Sequence, residues 1–281
     1  MPSFEPVRAI IRGLQILRVI SESGPIGALD ISKQVKLPQP TIVRILETLM
    51  SAGYIYRLEH APMYGVTART LTLSKGFAGT SRLVQLATPL IEELRSKIGW
   101  PSNLAIFEQN AMSIVYTNRS EHGMSISSRL GARIPVLATG VGLVYLASLS
   151  EPELDETLAQ LRNSDSKWDS NPELISELPA KLKEVRRNQY ALAEEDYLKE
   201  IYRSQIWAVA VPVEVDGKIV AGLSSLVLRS AGPPNRILSQ ILPAVRKTAQ
   251  SIAERMAEDS GLYDLSAKPA ATQKRKPRAK P

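Results

Sequence analysis

The 281-residue chain has no cysteine, which excludes disulfide frameworks, thiolate nucleophiles and every cysteine-ligated zinc or iron–sulfur site. That absence fits a reducing compartment, and the cytoplasm is the expected location. Histidine is nearly absent as well. His60 and His122 stand alone, neither with a second ligand at a spacing such as H-x-x-x-H, so no metal is expected. No apolar run reaches the ~18–20 residues of a membrane span. The start, MPSFEPVRAIIRGLQ, has arginines where a signal peptide needs an unbroken apolar stretch, so no membrane partner is expected. No G-x-S-x-G elbow, no G-x-x-x-x-G-K-[ST] loop and no G-x-G-x-x-G after a strand occurs, so hydrolase, nucleotidase and dinucleotide chemistry lack their starting points. Catalytic residues and cofactors are expected to be none. An enzyme would have to rely on Glu195 with Asp196, and Glu194-Glu195-Asp196 reads as a solvated acidic turn.

What is present suits a compact chain: 44% hydrophobic and 22% charged residues, in a length that accommodates two domains of about 150 residues. The net charge of +7 is unevenly placed. Residues 1–75 hold nine Lys/Arg against five Asp/Glu, residues 76–267 hold twenty against twenty-three, and residues 268–281 hold six against none. Basic ends on an acidic body suggest a nucleic-acid-facing N-terminal part, because Lys and Arg neutralise phosphate. The last stretch, KPAATQKRKPRAKP, has too little apolar surface to fold and reads as a solvated tail.

Val7, Ile10, Ile11, Leu14, Leu17 and Ile20 recur at helical spacing up to Gly24-Pro25. A second short helix covers Ala28 to Val35. A third begins near Pro40, where a missing N–H costs nothing, with Ile42, Ile45, Leu46 and Leu49 as its buried stripe. Tyr54–Arg57 and Met63–Val66 flank a polar turn and predict a hairpin. Three helices and a hairpin are the winged helix-turn-helix order. The 100° step per residue puts Pro40, Val43, Arg44 and Glu47 on the outward face with Thr41 beside them. Gln39, Pro40, Thr41, Val43 and Arg44 are the candidate DNA-binding residues, with Arg44 suited to a guanine edge or a phosphate and Arg57, beside His60, to the backbone or minor groove. A plain solvated surface is the alternative for each.

Residues 70–97 read as a connecting helix interrupted at Pro89, with apolar residues on more than one side, as a dimer contact requires. Asn103–Glu108, Met112–Asn118 and Met124–Leu130 read as strands, Gly140–Leu149 as a helix, and further helical pattern runs to about Gln189. Ile206–Val215 and Lys218–Leu228 meet at Asp216-Gly217, a type I′ hairpin signal, before a closing helix from Asn235 to Glu258. The expected fold is α+β with a mostly antiparallel sheet. Gly140-Val141-Gly142 is either a backbone cradle for a ligand or a simple helix cap.

Leu37-Pro38-Gln39-Pro40-Thr41-Ile42-Val43-Arg44-Ile45-Leu46 resembles the turn and recognition helix of the isocitrate lyase regulator (IclR) family, and Gly53-Tyr54-Ile55 its step into the wing. Leu130 to Gly142 resembles the family's G-x-R-x-P-x-x-A-[ST]-x-x-G segment, and Ala208–Val213 with Ala221–Ser224 its closing hairpin. The likeness covers about residues 6–258. It implies a winged helix-turn-helix over 6–69, a connecting and dimerisation helix over 70–97 and a GAF-like effector domain over 98–260; by composition, residues 261–281 are expected to be a disordered basic tail. It also implies a regulator of transcription, working as a homodimer or dimer of dimers on double-stranded operator DNA. By the same likeness the effector site is built from Gly140 and Val141, an acidic position at Glu195 or Asp196, and Ala208, Ser224 and Leu226, beside apolar Ile126 and Ile134.

Departures refine that expectation. Members that bind small keto acids tend to have Cys and Ser where this chain has Ala208 and Leu226, so a bulkier apolar ligand, an aromatic carboxylic acid, is the expected effector. Leu86-Ala87-Thr88-Pro89-Leu90 and Trp100-Pro101 resemble the subgroup controlling catabolism of hydroxyphenylpropionate and related acids. Pro40 and Val43 replace a hydrophilic N-cap and a His common in the family, so those contacts do not carry over. The rival reading is a winged-helix regulator controlled by a protein partner or by a non-aromatic small acid.

Overall fold

The computed structural model describes residues 4–74, 78–119, 130–162, 164 and 166–259. It divides into two compact units, Met1–Ala78 and Gly79–Pro281.

The first unit comprises helix α1 (Arg8–Ser23), strand β1 (Ile26–Gly27), helices α2 (Ala28–Val35) and α3 (Gln39–Ser51), and strands β2 (Ile55–Arg57) and β3 (Met63–Val66). Gly24, at φ 69°, ends α1 in a conformation other residues resist. Lys36 caps α2 in the left-handed region, and Pro40 sits in the first turn of α3. Ile16, Ile20, Ile31, Ile42 and Leu46 are fully buried where the three helices meet. The stripe read along α1 is divided: Leu17 and Ile20 enter this core, whereas Val7, Ile10, Ile11 and Leu14 are exposed, because the first two turns find no partner in the unit. The expected hairpin gains a third strand, β1, in the order β1-β3-β2. Tyr56 faces Gly65 across the hairpin, and a Cβ on Gly65 would lie 2.8 Å from its ring.

The second unit opens with α4 (Ala78–Ile98), preceded by a 3-10 turn over Ala68–Ser74. Pro89 lies inside α4 without ending it, so the interruption read there is corrected: one missing N–H weakens a helix whose Leu83, Ala87, Ile91 and Leu94 are anchored by burial. Six strands follow: β4 (Ser102–Glu108), β5 (Ala111–Thr117), β6 (Arg133–Ile134), β7 (Ala191–Leu192), β8 (Ile206–Val215) and β9 (Lys218–Leu228). They form one antiparallel sheet in the order β6-β5-β4-β9-β8-β7. Asp216 (φ 51°) and Gly217 (φ 72°) turn β8 into β9 with the two positive φ angles that a type I′ hairpin needs. The helices are α5 (Gly140–Ala147), α6 (Glu151–Leu161), α7 (Pro172–Asn188), α8 (Glu195–Tyr202) and α9 (Pro234–Asp259). In place of the acidic turn expected at Glu194–Asp196, Glu194 is the N-cap of α8 and the next two acids fill its first turn, where carboxylates are favoured by the exposed N–H groups. Of the strand expected at 124–130, residues 124–129 lie outside the described residues and Leu130 is in a turn. The basic tail, 261–281, also lies outside them.

Directly opposed residues share a sheet face and successive ones alternate. Trp207, Val209 and Val211 therefore share one face with Val227, Ser225 and Leu223, while Ala208, Ala210 and Pro212 share the other with Leu226, Ser224 and Gly222. Helix α5 packs on this second face.

Candidate nucleic-acid interface and ligand site

The outward face of α3 follows from its stripe. With Ile42 and Leu46 buried and Ile45 and Leu49 half-buried, Gln39, Pro40, Val43, Arg44 and Glu47 are exposed and Thr41 is half-buried. Pro38 offers the helix start no side-chain cap. Arg8, Arg18 and Lys33 are tied to Glu5, Glu22 and Asp30, whereas among the described residues no carboxylate holds Arg44 or Arg57. Arg57 is exposed on β2, beside Tyr56. The six residues singled out on this unit thus include two unpaired cations, one on α3 and one on the wing.

In the second unit the start of α5 lies on the face that carries Ala208, Ser224 and Leu226. A Cβ on Gly140 would stand 3.1 Å from that of Ala210, and one on Gly222 would stand 2.9 Å from Val141 Cβ. Ala208 opposes Leu226 and Ala210 opposes Ser224, so Gly140, Val141, Ala208, Ser224 and Leu226 gather in one place. Asn103 extends the row, facing Ser224 from β4. The start of α8 borders it: Ala193 N donates to Ala208 O at 3.2 Å and Glu194 N to Ala138 O at 3.0 Å.

Glu195, Asp196 and Ile134, also expected here, are not gathered with these five residues. Glu195 and Asp196 are exposed in the first turn of α8, and the Glu195 carboxylate pairs with Arg229. Ile134 is on β6, separated from β8 by three strands, where it lines a cavity of about 500 Å³ with Trp168 and Tyr197. Ile126 lies outside the described residues. Among the described residues no group of three or more potential ligands is placed to hold a metal, and no helix is long and apolar enough to cross a membrane.

Thr139 and Asp169 fix the approach to α5. Thr139 Oγ1 donates to Pro135 O at 2.6 Å and accepts from Gly142 N at 3.3 Å, capping the helix. Thr139→Val keeps the shape and removes both bonds; a loss of about 1–2 kcal/mol is expected in urea unfolding. Asp169, 2% exposed, accepts from Val136 N at 2.8 Å and Leu137 N at 2.9 Å through one oxygen, and from Ser164 at 3.3 Å through the other. No motif marks this residue, because its role exists only once the strap from Pro135 to Leu137 is in place.

Burial raises the Asp169 pKa above the ordinary aspartate value, although its three hydrogen bonds pull the other way. The folded chain therefore holds a proton that the unfolded chain has released, in the window from that ordinary value up to the raised one. Across that window the Asp169 contribution to stability falls as pH rises. Asp169→Asn retains the oxygen that serves both backbone N–H groups. The variant should equal or exceed the wild type in stability at pH 7, with a difference that shrinks as pH falls. A deficit at pH 7 that narrows on acidification would show instead that the charge stabilises the strap.

A three-helix unit with a wing, followed by a six-stranded sheet whose inner face meets the start of a helix, is the build of a transcriptional regulator with an effector domain. The profile of the bacterial transcriptional regulator IclR C-terminal domain matches residues 77–254, and that of the IclR helix-turn-helix domain matches residues 9–59. The chain belongs to the IclR family, a family of transcriptional regulators and not of enzymes. It is 26% identical over 160 residues to the transcriptional repressor IclR of Escherichia coli, a match spanning 56% of this chain and 58% of that repressor. A transcriptional regulator of Rhodococcus sp. RHA1 superposes with a TM-score of 0.65 at 24% identity, covering 90% of this chain and all of the other. An IclR homolog of Microbacterium hydrocarbonoxydans, solved with 4-hydroxybenzoate, superposes at 0.62 and 20% identity, covering 89% of this chain and 99% of that one.

Proposed function

We propose that the first unit reads an operator in duplex DNA through α3 and the wing, and that the second unit binds a small aromatic carboxylic acid which alters that reading. The exposed face of α3 carries the DNA half of the proposal: Arg44 projects from the side opposite Ile42 and Leu46, its guanidinium without a partner among the described residues. Gln39, Pro40, Thr41 and Val43 flank it in the major groove, and Arg57 approaches the DNA backbone from the wing. The effector half rests on the gathering of Gly140, Val141, Ala208, Ser224 and Leu226, whose apolar members suit a ring better than a two- or three-carbon acid. A structural neighbour that holds 4-hydroxybenzoate supports the same class of ligand. The working unit is a homodimer or a dimer of dimers, joined in part through α4, on a palindromic site.

Ligand binding shifts operator occupancy only if the acid binds one arrangement of the dimer more tightly than another. The test pairs calorimetric titration of the full chain with a panel of aromatic and short aliphatic acids and a gel-shift assay on its own promoter DNA. The proposal expects an aromatic acid to bind and to change the shift at constant salt. Binding by short keto acids alone would overturn the aromatic assignment, and a shift insensitive to every acid would overturn the effector role.

A further inference from the structure

The face that gathers the ligand-site residues, and the end of β5 beside it, hold polar atoms with no hydrogen-bond partner among the described residues. Asn103, 6% exposed, has no partner for its Oδ1. Ser224, opposite it and 7% exposed, is the neighbouring polar side chain on an otherwise apolar row with Ala208, Ala210 and Leu226. Arg119, two residues beyond the Thr117 that pairs with Asn103, has its Nε and Nη1 shielded from solvent with no acceptor. Its remaining nitrogen, Nη2, donates to the Tyr202 hydroxyl at the end of α8 over a long 3.4 Å, with the guanidinium 5.7 Å from the ring centre. Among the described residues no carboxylate pairs with it.

A half-buried guanidinium with two shielded nitrogens that have no acceptor among the described residues, and a buried carbonyl oxygen without a donor, each cost free energy that folding alone does not recover. They are complementary deficits: one lacks an acceptor carrying negative charge, the other lacks a hydrogen. Resting on the reading of this unit as an effector domain, we propose that Arg119 and Asn103 form the polar half of the ligand site, matched to a hydroxy carboxylic acid. The carboxylate pairs with Arg119, and a ligand hydroxyl donates to Asn103 Oδ1 beside Ser224. Ala208, only half-buried, marks where this face admits solvent, and pairing with a carboxylate releases Arg119 from its weak bond to Tyr202. The apolar remainder of the ligand lies on Ala208 and Leu226. Arg119 supplies the charge selectivity that the exposed Glu195 and Asp196 do not.

The test uses the full chain with 4-hydroxybenzoate, 3-hydroxybenzoate, benzoate, lactate and the neutral 4-hydroxybenzamide, read by calorimetry and thermal shift. Wild type is expected to prefer the two hydroxybenzoates to benzoate and to lactate, and 4-hydroxybenzoate to its amide. Arg119→Met is expected to weaken the acids about 10- to 100-fold and erase the preference over the amide. Its ligand-free melting point should be unchanged or higher, since a half-buried charge with no carboxylate partner among the described residues is removed. Asn103→Leu is expected to erase the preference for the hydroxyl while leaving that for the carboxylate. A wild type that binds amide and acid equally overturns the proposal, as does an Arg119→Met protein that melts lower yet keeps the acid preference. If these probes fail to bind while another metabolite still shifts operator occupancy, this assignment falls and the effector reading stands; insensitivity of operator binding to every small acid removes both.

Discussion

Gly142→Ala is expected to cost more than about 4 kcal/mol and to lower the melting transition of the second unit by about 10 °C or more. The reason is a backbone contact. A Cβ at position 142 would stand 2.0 Å from Val136 O and 2.6 Å from Val136 C, atoms that no rotamer change can move. Val136 is itself pinned by Asp169, whose carboxylate holds the N–H groups of Val136 and Leu137, so relieving the overlap means breaking a buried carboxylate's bonds. Gly222→Ala is the informative contrast. Its added methyl would meet Val141 Cβ at 2.9 Å, a side-chain contact at the start of α5. That overlap is milder, but it pushes on the place where the ligand is proposed to sit. Circular dichroism melts of both variants check the order. A Gly142→Ala protein melting within about 2–3 °C of wild type would show that the α5 start yields easily, and the cradle it forms would then be soft.

Contacts of this kind also limit how far the sequence can be read. The stripe Ile42, Ile45, Leu46, Leu49 is a strong 3.6-residue signal, so the outward set around Arg44 is legible in the order of residues alone. The Asp216-Gly217 hairpin is legible for a similar reason, since few residue pairs take two positive φ angles without strain. The strands β1, β6 and β7 are not legible. Two residues contain no alternation, and they become strands only because β3, β5 and β8 present free edges to them. The α1 stripe is legible as a helix face but not in its division, because periodicity gives a direction and does not say how far the partner extends. At the proposed ligand site, the glycines and hairpin residues are reachable through family likeness. Asn103, Arg119 and Asp169 are not, since an unmatched or stapled polar group is defined by what surrounds it in three dimensions.

Arg44→Ala is expected to reduce specific operator affinity about 5- to 150-fold while leaving the fold intact. The fold prediction follows from position: residue 44 is exposed, its own carbonyl is held within the helix and accepts from Thr48 Oγ1 at 2.9 Å, and alanine favours a helix. The affinity prediction divides two roles that look alike in a simple binding assay. If Arg44 reads a guanine, its loss lowers the ratio of specific to non-specific binding and leaves the salt dependence nearly unchanged. If it holds a phosphate, affinity falls alike on all sequences and the slope of log K against log salt decreases by about 0.9. Arg57→Ala serves as the comparison, since a wing arginine proposed to lie on the backbone should follow the second pattern. Footprinting of promoter DNA at two salt concentrations separates the outcomes, and an Arg44→Ala footprint equal to wild type at both would remove Arg44 from the interface.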